Sequence, residues 1–89
     1  PFAMTNADPF TAIADPNRRH ILEDLRRSPK TVNDLAKTLP ISRPAVSQHL
    51  KALLDCGLVD VKAEGTRRIY CVNRPGFDRM NLWLDQFWS

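Results

Sequence analysis

Arg43, Pro44, Ser47, Gln48 and Lys51 are spaced so that, on a helix, they share one side, while Val46, Leu50, Leu53 and Leu54 share the other. The polar side holds side chains able to read a base-pair edge. Arg43 can donate two bonds to a guanine, Gln48 can pair in a bidentate way with an adenine, and Pro44 offers an apolar surface to a thymine methyl. Ser47 is short enough to allow close approach and can donate or accept. Lys51, one turn on, suits a phosphate. This side carries no carboxylate before Asp55, whereas an ordinary solvated helix face, the alternative reading, mixes both signs. His49 belongs to the same helix and is a further phosphate candidate on its flank.

A second basic feature follows. Arg67 and Arg68 come directly after Gly65-Thr66, the tip of an expected hairpin, where long cationic side chains can reach phosphates or a minor groove. Charge that guards a hairpin edge against aggregation is the other reading, and Glu64 at the tip keeps it open. Lys30, Thr31 and Ser42 stand at helix starts, where anions bind, although capping alone would account for Thr31.

These side chains need elements to hold them. Asp15-Pro16 reads as a cap with proline at the first helical position, opening a helix to Arg27 with Ile21, Leu22 and Leu25 inward. Thr31 caps a short helix, with Asp34 completing a near capping box and Val32, Leu35, Ala36 and Leu39 on one side. Pro40 breaks it. Ser42 caps the next helix, which ends at Gly57, a left-handed terminator. The period then becomes strand-like: Val59 and Val61 alternate with polar residues, Glu64-Gly65 turns, and Ile69 to Val72 returns. Asn73 to Gly76 closes the sheet before a last helix bearing Phe77, Met80, Trp83, Leu84, Phe87 and Trp88. The expected fold is α+β and mostly helical: a winged helix-turn-helix, with helix-turn-helix at about 31–56, wing at about 58–73 and final helix at about 75–88.

That final stripe is wider than a small domain covers alone. With Phe10 and Ile13 it predicts a homodimer interface formed by the N- and C-terminal helices, against the alternative of a fully intramolecular helix.

The 89 residues suit a single domain over 4–89, and the 43% hydrophobic and 26% charged content is that of a globular chain. Pro1, Phe2 and Ala3 precede Met4, the first plausible start, and are read as a remnant. Between Arg18 and Arg74 there are 12 basic and 6 acidic residues, a net of +6, whereas the flanks carry Arg79 against four aspartates, a net of −3. A basic middle favours a polyanionic partner through counterion release. No apolar run approaches a membrane span, and two cysteines suit a reducing cytoplasm. No phosphate loop, carboxylate pair or Cys-His or Ser-His arrangement points to an enzyme, and no cofactor is expected. A metal- or redox-responsive sensor using Cys56 or Cys71 is the nearest rival, but their separation lacks the short spacings of zinc ligands. A winged-helix module that binds protein instead of DNA is another.

The residues Ala14-Asp15-Pro16-Asn17-Arg18-Arg19, the Leu35-Ala36 helix, the run Ile41 to Lys51, and Gly57-Leu58-Val59 with Gly65 to Arg68 closely resemble the ArsR (arsenic-repressor) family of bacterial winged helix-turn-helix regulators. The resemblance spans nearly the whole chain from Asp8. It implies a homodimeric repressor that binds a short inverted repeat near its own or a neighbouring promoter, with Ser42 to Cys56 reading the major groove and the hairpin as wing. Two departures stand out. Many members have glycine in the turn where this chain has Pro40, which cannot take positive φ. The metal sensors carry Cys-x-Cys in the first middle helix or Asp/His ligands in the last, whereas Thr31 to Thr38 has neither Cys nor His and the last helix has no histidine. The chain therefore resembles the metal-independent branch, for which no metal ligand is expected.

Overall fold

A computed structural model describes residues 8–88, so residues 1–3, expected from sequence to be a remnant, lie outside the described residues. The order is α1 (Pro9–Ile13), α2 (Pro16–Arg27), α3 (Val32–Thr38), α4 (Arg43–Asp55), β1 (Val59–Glu64), β2 (Arg67–Val72) and α5 (Arg74–Asp85). Each start follows from a side chain that satisfies amides the helix cannot pair itself. Asp15 accepts from the amides of Asn17 and Arg18 at 2.8 and 3.3 Å. The Thr31 hydroxyl accepts from the Asp34 amide while the Asp34 carboxylate accepts from the Thr31 amide, both at 3.2 Å, a complete capping box. Ser42 caps α4 through the Ala45 amide.

The turn between α3 and α4 passes Pro40 with no residue at positive φ, as proline demands. At the far end of α4, Gly57 takes φ +78°, and the amides of Gly57 and Leu58 return to the carbonyls of Leu54 and Leu53 at 3.1 and 3.0 Å. Those two bonds are the Schellman closure, and they aim the chain into β1.

β1 and β2 pair antiparallel from Val59 opposite Val72 to Glu64 opposite Arg67, joined by Gly65-Thr66. Gly65, at φ +62°, is the loop residue that needs glycine. Lys30 adds a short third rung, exchanging both backbone bonds with Tyr70 at 3.0 and 2.8 Å. The wing is thereby stitched to the entry of α3.

Ile21, Leu35, Val46, Leu50, Leu53 and Leu58 are fully buried, joined by Ala12, Leu22, Leu25, Val59, Tyr70 and Met80. Leu54, expected inward, is half-buried at the core's edge. The last helix starts within a residue of the expected position and stops short of the expected end. Arg74 to Gly76, read as a closing loop, forms the first turn, because Asn73 caps it by accepting from the Gly76 amide at 2.9 Å. It stops at Asp85 instead of about residue 88: the Gln86 side-chain amide donates to the Trp83 carbonyl, and tighter turns carry Phe87 and Trp88. Apolar periodicity continues past that point and so could not mark the stop. Gly76 approaches the Gly57 carbonyl so closely that a Cβ there would collide with it.

Burial alone would raise the Asp15 carboxyl, but amide donation from Arg18 and Asn17 outweighs it and holds the group below the ordinary Asp value. Asp34 is held low chiefly by its bonds from Thr31. A carboxyl depressed by folding stabilises the fold above its unfolded value near pH 4 and loses that contribution as pH falls through the folded value. Acid unfolding should therefore steepen below about pH 4. Asp15→Ala, besides lowering stability near neutral pH by about 1 kcal/mol, should flatten that acid limb in circular dichroism melts.

Candidate nucleic-acid interface

The buried positions of α4, Val46, Leu50 and Leu53, fix its rotation, and Arg43, Pro44, Ser47, Gln48 and Lys51 all emerge exposed on the other side. Nothing else among the described residues covers them. Arg43 stands on the first turn of this helix, where free amides add partial positive charge. Lys51 reaches Asp55 at 3.1 Å one turn later, but both side chains are exposed, so water and salt weaken the pair and leave the ammonium available to a phosphate.

Tertiary folding brings the wing tip to the same end. Thr66, Arg67 and Arg68 line a cleft of about 610 Å³ with Arg43, Thr31, Asn33, Asp34 and Lys37. Four cations face one carboxylate there, and that carboxylate is committed to the α3 capping box. Lys37 and Asn33 were not legible as members of this cleft, since only the fold sets α3 against the wing. Gln48 and Lys51 open on the other flank, lining a cleft of about 360 Å³ with Thr11, Arg18 and Asp55.

Three of the expected phosphate contacts also make bonds within the domain. His49 is half-buried, and its Nδ1 accepts from Arg18 Nε at 3.2 Å, which ties α2 to α4 and leaves Nε2 to donate. The Lys30 ammonium folds back to the Asp24 carbonyl and the Ser28 hydroxyl at 3.3 and 2.9 Å, closing the end of α2. The Thr31 hydroxyl is engaged as a cap. Ser42 is exposed and also caps, with its hydroxyl proton free to donate outward.

A family model described as bacterial regulatory protein, arsR family, matches residues 15–61. The HTH-type transcriptional regulator Rv2034 of Mycobacterium tuberculosis is 47% identical over 80 residues, covering 90% of this chain and 75% of that protein. The chain belongs to the ArsR family. Among solved structures, an ArsR-like transcriptional regulator from Rhodococcus sp. RHA1 superposes with TM-score 0.83 at 33% identity, covering 92% of this chain and 77% of the other. The homodimeric winged helix-turn-helix DNA-binding domain Mb0332 from Mycobacterium bovis, a possible ArsR-family regulator, gives TM-score 0.73 at 26% identity, covering 92% and 74%. This ArsR-family chain is a DNA-binding transcriptional regulator and not an enzyme.

The C-terminal part of α5 is apolar and exposed. Trp83 is 50% exposed, Phe87 61% and Trp88 77%, with Leu84 beside them. Phe10 of α1 packs on Trp83 with ring centroids 5.1 Å apart, and Phe87 meets the same indole at 4.7 Å, while Ile13 is half-buried against the core. Two members of the expected interface are turned inward. Met80 is only 6% exposed within its own core, and Phe77 packs toward Leu22 and Val72, because α5 must spend part of its stripe on the domain itself. Leu82, which sequence reading passed over, is 71% exposed.

Cys56 closes α4, with its thiol donating to the Leu53 carbonyl at 3.5 Å, and burial pushes that thiol up from its ordinary value. Cys71 lies on β2. Among the described residues no three of His, Cys, Asp and Glu group as metal ligands would, and no helix is long and apolar enough to cross a membrane.

Arg67→Ala should weaken operator and unrelated duplex by similar factors and lower the salt slope of log affinity by about 1. Fluorescence anisotropy across a potassium chloride series measures both, and an unchanged slope would remove Arg67 from the interface.

Proposed function

We propose that this chain acts in the cytoplasm as a homodimeric repressor, seated on an inverted-repeat operator near its own or a neighbouring promoter and blocking polymerase there. The observation that carries this reading is the exposed row Arg43, Pro44, Ser47, Gln48 and Lys51 on the side of α4 opposite its buried stripe. A helix so rotated can enter a major groove with its N-terminal residues at the base edges. Arg43, Pro44, Ser47 and Gln48 choose the sequence. Lys51, Arg67, Arg68 and Ser42 hold the backbone, with Lys37 joining them.

A homodimer places two such helices about 34–36 Å apart, one turn of duplex, so the operator carries matching half-sites. The uncovered aromatic end supports that assembly: Trp83, Leu84, Phe87 and Trp88 are exposed beside the half-buried Phe10 and Ile13, a patch that one copy of this chain leaves partly in water. The partner fold of the Mycobacterium bovis relative, described as homodimeric, agrees with it.

Control without metal is the reading the donor set favours. α3 has no Cys or His, and Cys56 and Cys71 sit on separate elements. A thiol pushed up by burial is also a poor thiolate, which speaks against a redox role for Cys56.

Gln48→Ala should cost about 1–3 kcal/mol in operator affinity and relax preference at one base pair. Selection from a randomised half-site, starting from a footprint on the DNA flanking the gene, reads both; unchanged affinity and preference would end the base-reading assignment. Trp83→Glu should yield a monomer in sedimentation with much poorer operator binding, and a mutant still dimeric would refute the interface.

A further inference from the structure

Away from α4 and the wing tip, the end of α2, the end of β2 and the first turn of α5 enclose a cleft that DNA binding does not use. Leu25, Val72 and Phe77 supply its apolar walls and Arg26, Arg27 and Arg74 its mouth, around about 570 Å³. Past Arg26, Val72 and Phe77 it meets a narrower recess of about 250 Å³, walled further by Leu22 and Glu23. The combined space falls in the range that small ligands occupy.

Its chemistry is divided along its length. Three guanidiniums stand at the mouth against one carboxylate, Asp78. Arg27 is drawn toward Asp24 at 4.0 Å, but Arg26 and Arg74 make no ion pair among the described residues. α5 begins here, so the positive end of its backbone dipole adds to the same field. The recess has apolar walls apart from Arg26 and Glu23, and Glu23 faces His20 at 3.9 Å. A cationic mouth leading into an apolar recess fits a molecule with an anionic head and an apolar tail.

We propose that this cleft binds a small amphiphilic carboxylate, its head between Arg26 and Arg74 and its alkyl chain along Val72 and Phe77. Such a ligand would be an effector. Ser28 and Pro29 line the cleft on one side, and Cys71 and Val72 on the other. These segments flank the Lys30–Tyr70 backbone rung that joins the start of α3 to the strand bearing Arg67 and Arg68. An occupant therefore bears on both sides of the link that sets the wing. The effector role rests on the DNA-binding reading; ligand binding itself does not, so the first test is made without DNA.

Amide NMR spectra of the whole chain titrated with octanoate should show saturable shifts centred on Leu25, Cys71, Val72 and Phe77. Acetate, which lacks the tail, and 1-octanol, which lacks the charge, should fail to reproduce them. The double variant Arg26→Gln, Arg74→Gln should bind octanoate about tenfold or more weakly, as loss of charge-assisted bonds demands. Shifts that do not saturate, shifts centred on Trp83 and Phe87, undiminished binding by the double variant, or a cleft closed to octanoate by a second copy would each overturn the site. With octanoate bound, duplex affinity should change for the parent chain and not for the double variant. An unchanged affinity overturns the effector role, and a chain that binds no duplex at all overturns the DNA reading while leaving the ligand site standing.

Discussion

The rotation of α4 about its own axis is the setting on which the interface depends. Val46, Leu50 and Leu53 are fully out of water, and each side chain so buried contributes roughly 1.5–3 kcal/mol relative to exposure. Turning the helix by one residue would lift part of that stripe into solvent and drive Ser47 or Gln48 against leucines. No surface interaction offsets a loss of that size, since exposed ion pairs contribute about 1 kcal/mol or less. The core thus chooses which side chains of α4 face outward.

Around that fixed helix the charges are arranged by tertiary contact. Arg43 lies at one end of α4, and the wing carries Arg67 and Arg68 to it across one cleft, with Lys37 arriving from α3. The only carboxylate in that cleft, Asp34, is held by the helix start it caps. It therefore stays fixed at that helix start, where Lys37 and Arg67 lie close enough to act on its charge. Acidic residues outside the central region keep the net charge of the chain modest.

What could be read from sequence, and what could not, divides along range of interaction. Asp15, Thr31 with Asp34, Ser42 and Gly57 announced their elements because a cap or a left-handed terminator is decided within a few residues. The exposed row of α4 was legible for the same reason: a helical period names both sides at once. The bond from Arg18 to His49 could not be read from sequence, because the two lie 31 positions apart and no local pattern couples them. Lys30 turned out to serve the end of α2, and Met80 and Phe77 the domain's own packing, for which α2 and β2 had to be in place. Leu82 escaped notice because it falls off the stripe that the helical period picks out, although it proves the second most exposed of the large apolar side chains.

The meeting of Gly76 with the Gly57 carbonyl carries a mechanical corollary. Main chain rests directly on main chain there, with no intervening side chain to act as a cushion, and Leu58 lies within the same contact. Asn73 braces the joint from the wing side, donating its amide to the Leu58 carbonyl at 2.9 Å and its side chain to Asp60 at 3.1 Å. The start of α5 is thereby seated on the backbone that ends α4, so neither can shift at this point without moving the other or opening the contact.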